Sequence, residues 1–365
     1  MPVKPLPPRP SLAHLKYQAK DLLREHAGRK PEAAQRIREF HPRWSKATDA
    51  EIFAAKLKLS DAQLTIARES GFASWARLKR RIEKPTPADR LDLPHHERIE
   101  DPLFRRAVAL LDAGDVAGLR VHLEEHPELA RRRVVFEGGN YFRNPSLLEF
   151  IAENPVRRGK LPENILEVAR VILDAGVERT ALDETLLLVA TGRVPRECRV
   201  QRSLIDLLCE EGADPNCAAV AAALESELDA TEHLIRRGAR ITLPLAAALG
   251  RAEEARRLLP TAPGQERPLA LALAAQLGHA EIVRLLLEAG EDPNRYNPVG
   301  AHSHCTPLHQ AAGAGHDEVV RLLVDRGARL DVRDTIWHAT PADWAGHERR
   351  AEIEEYLREQ GAQRR

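Results

Sequence analysis

Residues 305–331, with the sequence CTPLHQAAGAGHDEVVRLLVDRGARLD, predict two short antiparallel helices joined by a turn. Thr306 can accept a backbone N–H at the start of the first helix, and Pro307 fits the first helical position, where no N–H is needed. Gly315 ends that helix, and Gly327 supplies a left-handed end to the second helix, which has a wider apolar face. A single pair of this kind cannot bury both of its apolar faces, so it needs copies of itself on either side.

Copies of this stretch recur along the chain. The Thr-Pro dipeptide returns 34 residues later as Thr340 and Pro341. Residues 274–290 repeat the alanine pair, the Gly-His dipeptide and the Leu-Leu dipeptide of residues 311–327 at an offset of 37 residues. Fainter copies lie at 246–259, 222–239 and 212–216.

The repeated unit resembles the ankyrin repeat in its TPLH tetrapeptide, its Gly-His turn, its VVRLL-type helix and its period in the low thirties. The resemblance covers roughly 100–365 and weakens towards the N-terminal side. It implies an all-α solenoid of stacked helix-turn-helix units with short β-hairpin loops, about 7–8 repeats in all, divergent between 130 and 262. The positions that match the family motif are Thr306, Pro307, Leu308, His309, Gly315, Gly327, Thr340 and Pro341.

Composition agrees with thin stacked layers. Hydrophobic residues make up 43% of the 365 residues, but aromatic residues only 4%, and there is one Met. No run approaches the length of a membrane span, and the first residues lack the apolar core of a secretory signal. The four cysteines, Cys198, Cys209, Cys217 and Cys305, include no CxxC pair, which favours a reducing, cytoplasmic location.

Charge divides the chain into a basic head and an acidic remainder. Residues 1–84 contain 19 Lys and Arg against 9 Asp and Glu, and the remaining 281 residues contain 36 against 46. The balance is therefore +10 in the head (19 − 9) and −10 in the rest (36 − 46). The head could contact nucleic acid, or it could dock on the acidic array.

Four segments follow from composition and pattern. They are a disordered Pro-rich tail at 1–10, a small basic helical domain at 11–84, a linker at 85–94 and the repeat array at 95–365.

The helical domain is predicted to contain four helices. The first follows Ser11, the second spans 32–40, the third spans 60–70 with Ser60 as its cap, and the fourth begins at Ser74. The third and fourth have about the spacing of a helix-turn-helix, but Arg77 stands where that motif places an apolar residue. The segment is also similar to the leader domain that precedes repeats in many bacterial ankyrin proteins, a domain without a known activity. Nucleic-acid binding and an unrecognised enzyme activity remain the alternatives for this domain.

One cluster in the array has zinc-type side chains: His302, His304, Cys305 and His309. Their spacing fits no common zinc pattern, and the family's TPLH histidine has a structural role by resemblance. The sequence also lacks a GxxxxGK phosphate loop, an HExxH metal motif and a GxSxG nucleophile motif. We therefore expect no metal, no cofactor, no small-molecule substrate and no enzyme activity.

The resemblance instead implies a non-enzymatic scaffold that binds a partner protein along a concave wall with projecting fingers. Trp337 is expected at an exposed finger tip, whereas Trp344 could simply seal the last repeat. Tyr141, Phe142 and Arg143 lie in a longer connection, where both aromatic side chains are expected to be exposed. The remaining candidate partner-binding residues are Arg295, Tyr296, Asn297, His302, His304, Gln310, Thr335, Ile336 and His338.

Overall fold

The computed structural model describes three stretches of the chain, residues 11–83, 94–136 and 141–363. The tail predicted at 1–10 lies outside the described residues, and so does all of the linker predicted at 85–94 except its last residue.

The described residues divide into two compact units. The first unit consists of Met1–Arg98 and Phe136–Arg143, and the second unit consists of Ile99–Val135 and Asn144–Arg365. In its described part the first unit contains the 3₁₀ helix Pro42–Trp44 and six α-helices: α1 (Leu12–Ala27), α2 (Pro31–Phe40), α3 (Asp49–Ala54), α4 (Leu59–Glu69), α5 (Trp75–Glu83) and α6 (His95–Arg98).

Local sequence accounts for most of the first unit. Ser11 caps α1 as predicted, because its Oγ accepts the N–H of His14 at 3.3 Å. The predicted cap at Ser60 is wrong: α4 begins one residue earlier, and the Asp61 carboxylate accepts the N–H of Lys58 at 2.8 Å. Helix α3 is missed from the sequence because its six residues are too few to show a helical period. The core is formed mainly by Leu15, Leu22, Ile37, Ile52, Ile66 and Leu78.

The second unit is a row of eight helical pairs within its described residues. In seven of them both members are α-helical, and in the second pair the inner member is the 3₁₀ helix Leu148–Ala152. The short helix Arg193–Glu197 is an extra turn inside the third pair. The helices are α7 (Pro102–Ala113), α8 (Val116–Glu125), α9 (Ile165–Asp174), α10 (Arg179–Ala190), α11 (Arg193–Glu197), α12 (Gln201–Glu210), α13 (Asn216–Leu224), α14 (Leu228–Arg236), α15 (Leu243–Ala248), α16 (Ala252–Leu258), α17 (Glu266–Gln276), α18 (Ala280–Glu288), α19 (Pro307–Ala314), α20 (Asp317–Asp325), α21 (Pro341–His347) and α22 (Ala351–Gln363).

The pairs stack in chain order, which is the arrangement that the repeated sequence predicts. Inner helices contact inner helices, as α15, α17, α19 and α21 do in succession, and outer helices such as α16, α18 and α20 contact one another. One continuous apolar cluster runs through these layers from Leu243 to Leu357. Because many of its members are alanines, neighbouring layers lie close together.

The seventh pair forms as the sequence predicts. Thr306 precedes α19 and Pro307 is its first residue, and Thr306 Oγ1 lies 2.8 Å from His309 Nδ1. Gly315 ends α19 in the left-handed region with φ +91°, and Gly327 follows α20 with φ +89°. The expected short β-hairpins are absent from the described residues, which contain no strand and one isolated bridge between Arg133 and Ser146. The loops are instead held by single backbone hydrogen bonds and by side chains.

The same contact recurs at three successive joints between pairs. A left-handed glycine ends the inner helix, and a side chain from the next pair lies against it and donates to a carbonyl near that helix end. The three combinations are Gly250 with His279 and the Ala248 carbonyl (2.9 Å), Gly278 with His316 and the Gln276 carbonyl (2.9 Å), and Gly315 with Arg350 and the Gly313 carbonyl (3.4 Å). A Cβ at Gly278 would lie 2.6 Å from His316 Nδ1, so the joint requires glycine.

Within the described residues, no helix is both long enough and apolar enough to cross a lipid bilayer.

Gly278→Ala is expected to lower the free energy of unfolding more than Gly290→Ala. Both glycines have left-handed φ values, +81° and +91°, so each substitution adds backbone strain of about 1–2 kcal/mol. Only at Gly278 does the new Cβ also displace His316 and its hydrogen bond, which adds about 1 kcal/mol. Gly290 faces open space and is the matched control. Urea unfolding followed by circular dichroism measures both, and equal losses would contradict a role for the joint.

Candidate functional site

Most of the predicted binding residues lie on two loops near the C-terminal end. We call residues 291–306 the first finger and residues 329–340 the second finger. Gln310 and Trp344 lie on the adjoining inner helices α19 and α21. Among the candidates, the exposed side chains are Arg295, Tyr296, His302, Thr335, Ile336, Trp337 and His338, the half-buried ones are His304, Gln310 and Trp344, and the buried one is Asn297.

Asn297 corrects one expectation, because it is only 5% exposed. Its backbone N–H donates to the Cys305 carbonyl at 2.8 Å, and its side-chain amide lies 3.6 Å from Cys305 Sγ. Asn297 therefore closes the base of the first finger and does not face a partner.

The two fingers are tied to each other. The Tyr296 hydroxyl donates to the Arg333 carbonyl at 2.5 Å, and the Thr335 N–H donates to the His304 carbonyl at 2.9 Å. Tyr296 keeps part of its ring exposed while its hydroxyl is engaged. The fingers thus form one continuous surface.

Asp334 organises the second finger, and sequence reasoning missed it. Its carboxylate is buried and accepts the backbone N–H groups of Ile336 (2.9 Å), Trp337 (2.6 Å) and Ala339 (2.9 Å). It also accepts the indole N–H of Trp344 at 3.1 Å. An Asp two or three residues before a predicted tip is the pattern of a side chain that caps its own turn, and that signal was present in the sequence.

Aromatic rings cluster around this carboxylate. The Trp337 and Trp344 ring centroids lie 5.8 Å apart with planes inclined at 67°, and His304 lies 5.4 Å from Trp337 and 5.8 Å from Trp344. Trp337 nevertheless leaves 64% of its surface exposed. Beside the two indoles is a groove of about 420 Å³, which we call the indole groove; it is lined by Trp337, Ala339, Asp343, Trp344, His347 and Glu348.

The carboxyl groups of Asp334 and Asp343 both have lowered pKa values. Burial alone would raise the pKa of Asp334, but the hydrogen bonds that its carboxylate accepts outweigh burial and hold that pKa well below its usual range. The backbone and hydroxyl of Thr340 both donate to Asp343 and lower the pKa of its carboxyl. Burial, with the adjacent His302, lowers the pKa of His304, so its imidazole is neutral at pH 7.

Two of the four zinc-type side chains, His309 and Cys305, have other contacts. His309 Nδ1 accepts the Thr306 N–H at 3.2 Å, and His309 Nε2 donates to the Ala339 carbonyl at 3.2 Å. Cys305 Sγ donates to the His302 carbonyl at 3.3 Å, and burial raises the pKa of this thiol to about 12. These contacts use the ligand atoms that His309 and Cys305 would offer to a metal.

In the described part of the chain, one group brings three ligand-type side chains within reach of a common metal ion. It consists of His122, Glu125 and His126 at the end of α8, whose ligand atoms lie within 4.8 Å of one another. His122 Nε2 donates to the Leu103 carbonyl at 2.9 Å, and Glu125 is exposed. The absence of a metal stays a prediction, and these residues are where a divalent cation would be held.

Tyr141 and Phe142, in the connection towards the N-terminal side, were both expected to be exposed. Tyr141 is exposed, but the prediction that Phe142 is exposed is wrong, because its side chain is only 3% exposed. Its ring lies 5.2 Å from His95 and 6.1 Å from Phe136, so it packs within the first unit. Arg143 is exposed.

A buried ion cluster occupies the basic loop after the second inner helix, and the sequence did not predict it. Arg157 is buried, and its guanidinium lies 2.8 Å from both the Asp112 and the Glu153 carboxylates. Glu153 also accepts the backbone N–H groups of Arg157 and Gly159. The Arg158 guanidinium lies 3.5 Å from the Asp112 carboxylate and supplies the second positive charge, so the charges of the cluster balance and the arrangement is structural.

Helix α5 is amphipathic in its described part. Leu78 is buried, Trp75 is half-buried and Arg77 is exposed. An exposed Arg at this position is equally consistent with a solvated face, so nucleic-acid binding and an enzyme activity of the first unit stay predictions.

In a comparison with known families, residues 243–334 match the model for ankyrin repeats in three copies. No curated protein matches the chain. The match covers α15 to α20 and both the first finger and the start of the second. Residues 243–334 are therefore ankyrin repeats, and ankyrin repeats generally mediate protein–protein interactions. The N-terminal helical leader is not part of the match.

Asp334→Asn is expected to lower the free energy of unfolding by about 2 kcal/mol at pH 7, because the amide replaces a charged acceptor of several N–H groups. The folded-state pKa is depressed, so this stabilisation is present above the unfolded pKa of about 3.9 and is lost as pH falls below it. The difference between wild type and variant should therefore shrink below about pH 4.

Urea unfolding at several pH values measures this difference. Asp331→Asn removes an exposed carboxylate from the same finger and should have little effect at any pH. A pH-independent deficit in Asp334→Asn would contradict the assigned role of the charge.

Proposed function

We propose that this protein is a non-enzymatic scaffold that binds a partner protein through the two fingers and the adjoining inner helices of its ankyrin array. The observation that carries the proposal is Trp337, an indole that is 64% exposed at a finger tip. A large exposed aromatic side chain is costly in water, and such residues dominate binding energy at protein interfaces.

The second finger is ordered before any partner arrives. Asp334 fixes the backbone on both sides of the Trp337 tip, and the Arg333 guanidinium donates to the His338 carbonyl at 2.6 Å. A loop that is already in its bound shape loses little conformational entropy on binding. This supports a preformed recognition surface.

Further apolar side chains extend that surface along the fingers. Ile336 is exposed beside Trp337, and Tyr296 keeps an exposed ring on the first finger. Val299, which sequence reasoning missed, is 97% exposed at the tip of the first finger. Exposed apolar side chains on both fingers are the kind of residue that interface cores contain.

The proposal also includes the absence of enzyme activity and a cytoplasmic location. The ankyrin family is typically non-enzymatic, and in this region Asp334, Cys305 and His309 are all engaged in contacts within the fold. The four cysteines are free, which supports a reducing compartment such as the cytoplasm. No cofactor is proposed.

Trp337→Ala is expected to weaken partner binding by about ten-fold or more while changing the unfolding midpoint little, because the lost surface is mostly exposed. Partners are captured from native lysate on immobilised full-length protein, quantified by mass spectrometry, and then purified for affinity measurement. Val135→Ala, which shortens an exposed apolar side chain outside the fingers, is the control, and Trp344→Ala should lose stability as well as binding, because its indole is half-buried and bonded to Asp334.

Equal loss of stability and binding in Trp337→Ala would show that this indole is part of the packing. A set of captured proteins that is the same for wild type and Trp337→Ala would contradict a binding role for the second finger.

A further inference from the structure

We infer that the indole groove receives an arginine or lysine side chain from a basic segment of the partner protein. This inference rests on the proposed function and specifies the chemistry of the partner. Three features of the groove carry it: its two aromatic walls, its acidic rim and the way in which the nearby cations of the array are already bound.

The walls suit a cation. Indole is the best aromatic acceptor for a cation, which is attracted when it lies within about 6 Å of the ring centroid. The Trp337 and Trp344 centroids are 5.8 Å apart and their planes meet at 67°, so a cation between them can approach both rings. The groove volume of about 420 Å³ is enough for a guanidinium or ammonium group and its aliphatic stem.

One wall is fixed before binding. Trp344 is held by its hydrogen bond to Asp334 at 3.1 Å and by the His309 ring, whose centroid is 5.5 Å away. Its ring also lies against Gly313 of the preceding inner helix, where a Cβ would be 3.2 Å from Trp344 Cε3. The groove therefore exists without an occupant, and only the exposed Trp337 has to adjust.

The charge of the lining selects the sign of the occupant. The lining contains the carboxylates of Asp343 and Glu348 and contains neither Lys nor Arg. Both hydrogen bonds from Thr340 reach Asp343 Oδ2, which leaves Oδ1 for an occupant. A purely apolar side chain would leave these carboxylates without compensation as it removed water from them, and an acidic side chain would be repelled.

Cations elsewhere in this region are already bound. Arg333 donates to the His338 carbonyl, Arg350 donates to the Gly313 carbonyl at 3.4 Å, and Arg358 pairs with Glu354 at 2.6 Å. The charges of Arg333 and Arg358 also lower the pKa of Asp343, but neither residue lines the groove, so an incoming cation would be the basic side chain that contacts the rim directly. The acidic balance of residues 85–365, 36 Lys and Arg against 46 Asp and Glu, favours a basic partner segment in the same way.

The test uses full-length protein in which the four tryptophans are replaced by 5-fluorotryptophan and are observed by fluorine NMR. The probes are seven-residue glycine–serine peptides with one central arginine, lysine, citrulline or glutamate. Citrulline has the shape of arginine without its charge. Trp44 and Trp75, which belong to the first unit, are internal controls.

The arginine and lysine peptides should shift the Trp337 and Trp344 signals with dissociation constants on the order of millimolar, and leave the Trp44 and Trp75 signals unchanged. The citrulline and glutamate peptides should shift neither pair. Glu348→Gln should weaken arginine-peptide binding roughly three-fold, while Glu352→Gln, an exposed carboxylate outside the groove, should not. Trp337→Ala, followed by the Trp344 signal, should weaken it about three- to five-fold.

Equal shifts with the arginine and citrulline peptides, or none with any peptide, would overturn the cation inference. Neither result touches the proposed function, which fails only if partner capture does not depend on Trp337. Sedimentation of the full-length protein measures whether it forms a dimer, and so tests whether the basic head of a second copy occupies the indole groove. A dimer that dissociates in Trp337→Ala would overturn the inference of a separate partner protein.

Discussion

The structure depends on the fact that a pair of short helices with apolar residues on both faces has no stable environment except another such pair. Such pairs can stack only if neighbouring pairs lie close together, and the small alanine side chains of the inner helices allow this close packing. The glycine at the end of an inner helix also allows close packing, because only a residue without a Cβ leaves room for the polar side chain of the next pair. Gly278 and His316 show this: one contact both fills the space between pairs and satisfies the Gln276 carbonyl at a helix end.

The fingers face the opposite problem, because they project from the stack and lack neighbours to bury against. The second finger solves it with Asp334, a buried carboxylate that takes over the backbone N–H groups which a strand ladder would otherwise have paired. The same carboxylate orients Trp344, so the backbone and one wall of the indole groove share a single support. A recognition surface on a projecting loop can be rigid for this reason.

The features that could be predicted from the sequence are those set by residues close together in the chain. The pairs and their order are visible in the sequence because Thr306, Gly315 and Gly327 each act on the backbone within a few residues. The buried state of Asn297 and the role of Asp334 depend on atoms brought together by the turn of a loop, and no periodic pattern records them. Likewise, Phe142 looked exposed because its partners, His95 and Phe136, are supplied by other parts of the first unit.

The divergent middle of the array shows why function is better sought at its C-terminal end. There the family motif is lost, and the basic loop is held by Arg157 with Asp112 and Glu153, charges that are fully committed to one another. Near the second finger the balance differs, since Asp334 is committed but the rim carboxylates of Asp343 and Glu348 and the exposed face of Trp337 retain capacity for a ligand. Binding energy can come only from groups that the fold has not already used. The surface where such groups converge on a rigid support is therefore the one most capable of recognition.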